Sequence, residues 1–289
     1  MYQLCTDSGC DLPQSMLDDQ HIATIPFHYS VNGELFTDRL DETHANDGVY
    51  AQLHEAAQVA TTQINVGEYH AFFAPFVAAG VPVLYLGFSG GLSGSLDSAR
   101  QARALLLEEH PGATITIVDT LGASGGEGLL VLRAAAMQAA GEPIEAVAAW
   151  VTEHRRFMHH WVTVDDLDHL VRGGRLPKAA AVIGGALGIK PLLTVDATGR
   201  VKVAGKARSR KTALAKLAAA AVAAYDAQPS QTLMLATAGD WAAAETVALA
   251  IRDARPAIQL LVRPVSLTIA CHTGYGCLAV FGLTETPRA

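Results

Sequence analysis

No run of this chain reaches the roughly eighteen uninterrupted apolar residues that a membrane helix needs, so no transmembrane span is expected. Cysteine is scarce. Cys5, Cys10, Cys271 and Cys277 are the whole complement, and no pair has C-x-x-C spacing. That is too sparse for a disulfide framework and badly spaced for structural zinc. It suits free thiols in a cytoplasmic protein. Positive charge is short as well: 21 Lys and Arg stand against 28 Asp and Glu, for a net charge of −7. Nothing there asks for nucleic acid. The one basic cluster, Lys202, Lys206, Arg208, Arg210 and Lys211, reads as a solvated hairpin and helix start. The opening MYQLCTDSGCD lacks the basic region and apolar core of an export signal and reads as a first strand. His154, His159, His160 and His169 fit no metal-ligand spacing, and adjacent strand residues point to opposite sides, so no metal is expected.

What is present is a well-filled globular chain. Of 289 residues, 50% are hydrophobic and 17% charged, which excludes disorder and allows two domains. In the first half, strand-like runs at Tyr2–Thr6, Ala23–Val31, Pro82–Phe88 and Thr114–Asp119 alternate with helical patterns. The helical patterns are Pro13–Asp19, Asn46–Ala57, Gly67–Ala79, Leu96–Glu109, Gly126–Ala140 and Ile144–Phe157. Such alternation predicts an α/β domain with a mostly parallel sheet. The second half mixes strands at Trp161–Val164, Pro191–Val195, Val201–Ala204, Thr232–Thr237, Ile258–Pro264 and Cys277–Phe281 with helices at Ala179–Ala186, Arg210–Ala227 and Trp241–Ala254. Asn32-Gly33 and Thr198-Gly199 mark tight hairpins. The expected architecture is an N-terminal Rossmann-like α/β domain over residues 1–157 and a mixed α/β domain over 158–289.

Three polar turns end strands and open helices: Ala60-Thr61-Thr62-Gln63, Ser89 to Ser95, and Asp119 to Gly126. Ligands of open α/β sheets sit at the carboxyl ends of strands. Helix N-termini offer unpaired N–H groups and partial positive charge there. Serine and threonine hydroxyls add neutral donors, a set that suits a carboxylate or phosphate without lysine. Any one turn is equally an ordinary N-cap; the three together point to a site. Gly87-Phe88-Ser89-Gly90-Gly91 also fits the G-x-S-x-G elbow of a serine hydrolase of α/β-hydrolase type, with Ser89 as nucleophile. Against that reading, no HGGG-like segment precedes Ser89 and no acid is singled out. Downstream, His272 in a glycine-flanked turn is a candidate charge partner or proton shuttle. Arg172 and Arg175 on a tight turn could fork onto an anion.

Taken in order, these stretches resemble one family. Asp7-Ser8-Gly9-Cys10-Asp11-Leu12-Pro13 resembles the DSxxDLP opening of the DegV family, and Thr61-Thr62-Gln63 its TSQ turn. Ser89 to Ser95 resembles its SSGLSGT loop, and Asp119-Thr120 with Gly126 and Gly128 its D-[ST]…GxG segment. Leu167 with Leu170 to Arg175 resembles LxxLxxGGR. Lys190-Pro191-Leu192-Leu193 with Gly199, Lys206 and Arg208 resembles KPIL…G…KxR, and His272 to Gly276 resembles HxGPG. The resemblance runs from residue 7 to 276. It implies a two-domain α/β fold that holds one long-chain fatty acid in a tunnel between the domains. It further implies the non-catalytic binding subunit of a bacterial fatty-acid kinase. Such a subunit presents the carboxylate to a separate ATP-using catalytic subunit, and the acyl phosphate feeds phospholipid synthesis. No cofactor beyond the bound fatty acid is implied, and peripheral membrane contact for lipid exchange is compatible with it.

Carried over by position, Thr61 and Thr62 donate to the carboxylate. Ser93, Ser89 and the amides of Gly90 and Gly91 line the head-group pocket, and His272 faces the same oxygens. Arg172 and Arg175 stand near the mouth, where the kinase subunit docks. The sequence departs from the pattern at three places: Gly90 replaces a serine, Tyr275 replaces the proline of HxGPG, and Thr62 replaces a serine but keeps the hydroxyl. About fifteen buried methylenes at ~0.8 kcal/mol each give roughly 12 kcal/mol before association costs. The head group then needs only satisfied hydrogen bonds, which neutral hydroxyls and amides supply without a buried lysine. Phe72, Phe73, Phe76 and Ala179–Leu187 are candidates for the tunnel wall or for ordinary core. A sugar- or dihydroxyacetone-type carrier with a reactive His272 is a third reading.

Overall fold

The fold comes from a computed structural model that describes residues 2–40, 47–54, 58–179 and 188–289. In the first half, β1 (Gln3–Asp7) leads through a 3-10 turn to α1 (Gln14–Asp19), then to β2 (Ala23–Ile25), β3 (His28–Val31) and β4 (Glu34–Thr37). There follow α2 (Asp47–His54), β5 (Val59–Thr62), α3 (Val66–Ala78), β6 (Val83–Gly87) and α4 (Ser95–Glu109). β7 (Ile115–Asp119), α5 (Gly125–Ala139) and α6 (Ile144–His154) complete this half. The second half runs β8 (Met158–Thr163), α7 (Asp168–Arg172), β9 (Lys190–Val195), β10 (Val201–Ala207) and α8 (Arg210–Ala227). It ends with β11 (Thr232–Thr237), α9 (Trp241–Ala254), β12 (Gln259–Pro264), α10 (Leu267–Thr273) and β13 (Leu278–Leu283).

The first half builds a parallel four-stranded sheet in the order β2-β1-β6-β7. Every residue of β6 is buried, as a strand covered on both faces must be. On one face lies an aromatic core from α3 and α4, with Tyr69, Phe73 and Leu106; on the other lie Leu130, Ala134, Val147 and Val151 of α5 and α6. The second half builds a six-stranded sheet, β10-β9-β8-β13-β11-β12, antiparallel except for β11 and β12. α8 and α9 cover one face of it through Leu217, Ala221, Val247 and Ile251. The alanine-rich α8 is therefore a packed helix: its alanines let it lie close to the sheet.

A third sheet, β4-β3-β5, was not legible as strands beyond β3. The run Ala23–Val31 splits into β2 and β3, and Asn32 (φ 52°) with Gly33 (φ 86°) turns β3 into β4. Both positive φ values are what a two-residue hairpin loop requires. Of the helix expected at Asn46–Ala57, α2 is the described part. The helix expected at Ala179–Ala186 lies, beyond Ala179, outside the described residues.

Candidate functional site

An apolar cavity runs between the parallel sheet's loops and the inner face of the six-stranded sheet, with about 930 Å3 free of atoms, part of it open to solvent. Phe27 and Phe88 form one wall, edge to face at 5.5 Å. Val162, Leu193, Val195, Ala279 and Phe281 form the opposite wall from the sheet. Among the described residues that line it, Arg175 alone carries a permanent charge.

A second, outer groove is lined by β3, β5, α7 and α10 residues, including Ser30, Ala60, His169, Arg172 and Cys271. Thr61, Arg175 and His272 line both spaces, so they stand where the apolar cavity meets the groove. Here Thr61 Oγ1 and His272 Nε2 lie 2.8 Å apart. Ser93 and Thr62 join the same end of the cavity, and Ser93 Oγ is 2.8 Å from Ser95 Oγ. Burial, with Arg175 and His169 close by, lowers His272 to about 4, so the ring is neutral at pH 7. A neutral imidazole, the Thr61 hydroxyl and the Ser93 hydroxyl can take a carboxylate, by donating hydrogen bonds, without a buried ion pair; Thr62, next to Thr61 on the strand, is on its more exposed side.

The second half of the chain holds this end in place. His272 packs onto Gly173, where a Cβ would fall 2.2 Å from Nδ1. The glycine of the Gly-Gly-Arg turn is there to admit the imidazole. Arg175 straps that turn to the serine loop: its Nε donates to Leu92 O at 3.0 Å and its Nη1 to Gly173 O at 2.7 Å. At the other end of α10, two buried carboxylates hold the first amides. Asp38 accepts from Leu267 N at 3.2 Å and Thr268 N at 3.0 Å, and Asp11 accepts from Ser266 N at 2.8 Å. Carboxylates belong at a helix N-terminus, where they meet unpaired N–H groups and the positive end of the dipole.

Residues 1–285 match the model of the DegV family. The chain belongs to the DegV family. A DegV domain-containing protein of Clostridium perfringens is 38% identical over 285 residues, 99% of this chain and 98% of that one. A stearic acid-binding protein from Eubacterium ventriosum has the same fold, with a TM-score of 0.87 at 25% identity over 98% of each chain. A fatty-acid-binding DegV protein from Thermus thermophilus gives 0.83 at 30% identity, over 98% of this chain and 99% of that one. The fatty acid kinase B3 protein of Streptococcus pneumoniae, loaded with linoleic acid, shares the fold at 0.83 and 22% identity, over 99% of this chain and all of that one.

The DegV motifs divide between site and scaffold. Thr61 and Thr62 sit on the edge strand β5, not in a turn, and His272 lies in the last turn of α10, not in a loop. Ser89, Gly90 and Gly91 do not line the cavity. Ser89 is 0% exposed; its hydroxyl donates to Gly199 O at 2.8 Å and accepts from Gly91 N at 3.1 Å. The Gly90 amide turns to the Asp119 carboxylate at 3.3 Å. Gly91 meets the β9–β10 hairpin, where a Cβ would fall 2.7 Å from Thr198 O. The loop therefore serves to dock that hairpin, and Ser93 is its contribution to the cavity. Arg172 is exposed in the groove, whereas Arg175 is half-buried and committed to two carbonyls. Tyr275 lies against Gly239, away from the cavity. Phe72, Phe73 and Phe76 belong to the core under the parallel sheet; of Ala179–Leu187, residues 180–187 lie outside the described residues.

Asp7 is scaffold too: it accepts from Gly9 N and Phe88 N at 2.9 Å each and from the Tyr85 hydroxyl at 2.6 Å. The family pattern marked Gln63 without giving its role, and sequence reasoning missed Asp38, Thr268, Ile269 and His160 as residues on or behind the cavity wall. The family pattern marked Asp11 without giving its role. No local signal pointed to the others, because what unites them is their distance from α10 or the sheet face.

Proposed function

We propose that this DegV protein is a carrier that holds one long-chain fatty acid in the apolar cavity, its carboxylate at Thr61, Thr62, Ser93 and His272. The observation that carries the reading is the Thr61–His272 pair at the junction of an apolar cavity and a solvent groove. A chain needs the first and a carboxylate the second. The fatty acids bound by the Eubacterium and Thermus relatives support it. In this reading the division of labour follows the chain, with residues 1–157 and 158–289 as the two domains. The protein works in the cytoplasm and makes peripheral contact with a membrane when it exchanges lipid. It transfers no phosphoryl group itself. Instead it offers the carboxylate through the groove beside Arg172 to a separate fatty-acid kinase subunit. The name of the Streptococcus pneumoniae protein of the same fold supports that partnership.

The hydrolase reading loses its nucleophile: the Ser89 hydroxyl is committed to Gly199 and Gly91, and the ring of His272 is paired with Thr61. The decisive experiment is mass spectrometry of what the purified protein releases on denaturation, without prior delipidation. A near-equimolar long-chain fatty acid is the expected result. No fatty acid released, together with no uptake of added stearic acid, would overturn the reading.

A further inference from the structure

We propose that Glu127 is a neutral acid in the native protein and a positioning residue for fatty-acid binding: it donates its carboxyl proton to Asp7, which holds the aromatic wall of the cavity in place. The inference rests on the fatty-acid reading and deepens it. That wall, Phe27 and Phe88, is seated on the turn that follows β1. Phe27 N donates to Ser8 Oγ at 2.9 Å. Phe88 N donates to the Asp7 carboxylate at 2.9 Å, and so does Gly9 N. The Phe88 ring lies on Gly9, where a Cβ would fall 2.4 Å from its Cδ2. Asp7 therefore fixes Phe88 twice, through its amide and through the glycine under its ring.

Asp7 belongs to a chain of buried side chains drawn from four elements. The hydroxyls of Tyr69 on α3 and Tyr85 on β6 are 2.7 Å apart, and Tyr85 donates to Asp7 of β1 at 2.6 Å. The Asp7 carboxyl is hydrogen-bonded to that of Glu127, in the first turn of α5, and Thr6 Oγ1 donates to Glu127 Oε1 at 3.1 Å. Each of these five residues is at most 1% exposed. The donors decide where the proton sits. Asp7 receives two amides and a tyrosine hydroxyl, so it is the charged member. Glu127 Oε2 meets no donor among the described residues. Ionised, it would be stranded, and two carboxylates in contact in a buried site repel. A proton on Glu127 removes the repulsion and makes the bond to Asp7. The dipole of α5 favours an ionised acid in this turn; burial and the Asp7 charge outweigh it. The other titratable groups that bear on the pair, Tyr69, Tyr85, Cys10 and Asp11, bring no positive charge.

The test is first spectroscopic. Infrared difference spectra between the unaltered protein and Glu127→Gln are taken at about pH 8.5, where Asp11, raised to about 7, is ionised. The carbonyl stretch of a protonated carboxyl is expected in the unaltered protein and missing from the variant. Stearic-acid affinity is then read by displacement of a fluorescent fatty acid. Glu127→Leu cannot donate and should weaken binding about fivefold, while Glu127→Gln, whose amide N–H donates to Asp7 in the proton's place, should stay within about twofold of the unaltered protein. In urea melts from about pH 4 to 9, the stability gap should widen with pH in favour of Glu127→Gln, because the fold keeps a proton that an unfolded glutamate gives up near pH 4.3. Absence of the protonated-carboxyl band, or equal binding by Glu127→Leu and Glu127→Gln, overturns the inference and leaves the fatty-acid reading standing. No uptake of stearic acid by the unaltered protein overturns both. The spectra and the Glu127→Gln melts decide the matter even where Glu127→Leu fails to fold.

Discussion

At the residue scale, His272 is the titratable ring where the cavity meets the groove. Its pKa in the fold is about 4, against about 6.5 in an unfolded chain. Between those values the unfolded chain binds the proton that the fold refuses. The stability tied to His272 is therefore complete above pH 6.5 and is lost as pH falls toward 4. A carboxylate against the ring acts in the opposite sense, raising the pKa, so loading with fatty acid should take up protons in that window. NMR titration of the His272 ring should give a midpoint near 4 without ligand and a higher one with stearic acid. Equal midpoints would remove His272 from the head-group site. Thr61→Val keeps the shape and deletes the hydroxyl. It should weaken fatty-acid binding about tenfold or more, the worth of one hydrogen bond to a charged group, when read by displacement of a fluorescent fatty acid.

At the element scale, α10 is a seven-residue helix whose position fixes Thr268, Ile269 and His272. So short a helix has little stability of its own. Its N-terminal amides are held instead by Asp38 and Asp11. Asp38→Ala should cost about 3 kcal/mol of unfolding free energy, since two charge-assisted bonds are lost in a buried site, and it should also weaken fatty-acid binding by loosening His272. Unchanged urea melts would contradict this account of the helix. Burial outweighs the Ser124 and Ser266 hydrogen bonds at Asp11 and raises its pKa to about 7. An unfolded carboxyl ionises near 4. The fold thus keeps a proton that the unfolded chain gives up, and this stabilisation is complete below pH 4 and lost as pH rises toward 7. The difference corresponds to about 4 kcal/mol. Asp11→Asn cannot titrate and should flatten that part of the profile when urea melts are compared from pH 4 to 7. A constant gap between the two proteins would show that Asp11 does not titrate there.

Which elements were legible follows from how local their causes are. α8, α9 and β11 lie where the sequence pattern puts them, because their periodicity, caps and turns are contained within each segment. α7 and α10 are too short to show a helical period. β4 is exposed along its whole length, so it shows no alternation, and β5 is a four-residue edge strand. The candidate site divides in the same way. Thr61, Thr62, Ser93 and His272 were legible through motif order. Asp38 and His160 were not, because their roles come from packing against α10, Gly122 and Gly126.

At the scale of the whole molecule, the two halves are fastened where the β9–β10 hairpin meets the serine loop. Ser89 donates to Gly199 O, Gly91 abuts Thr198 O, and Arg288 bridges Val195 O and Leu121 O at 3.3 and 2.8 Å. Ser89→Ala should lower stability by about 1–3 kcal/mol, because it strands a buried carbonyl. Gly91→Ala should cost a similar amount through overpacking against backbone that cannot yield. Thermal melts check both. A fluorophosphonate serine-hydrolase probe should leave Ser89 unlabelled in the native protein; labelling there would revive the nucleophile.

By itself the sequence determined the α/β alternation, the order of the motifs and family membership, and it pointed to an apolar chain with neutral hydrogen-bonding residues at the ends of strands. Those depend on periodicity, on turn residues and on which side chains can donate hydrogen bonds. Only the tertiary structure decided that Ser89, Gly90 and Gly91 are joinery while Ser93 faces the cavity. It alone brought Thr61 within 2.8 Å of His272, 211 residues away in sequence. Motif spacing carries no information on which face of a loop turns inward; that is settled by what packs against the loop, here a hairpin more than a hundred residues downstream.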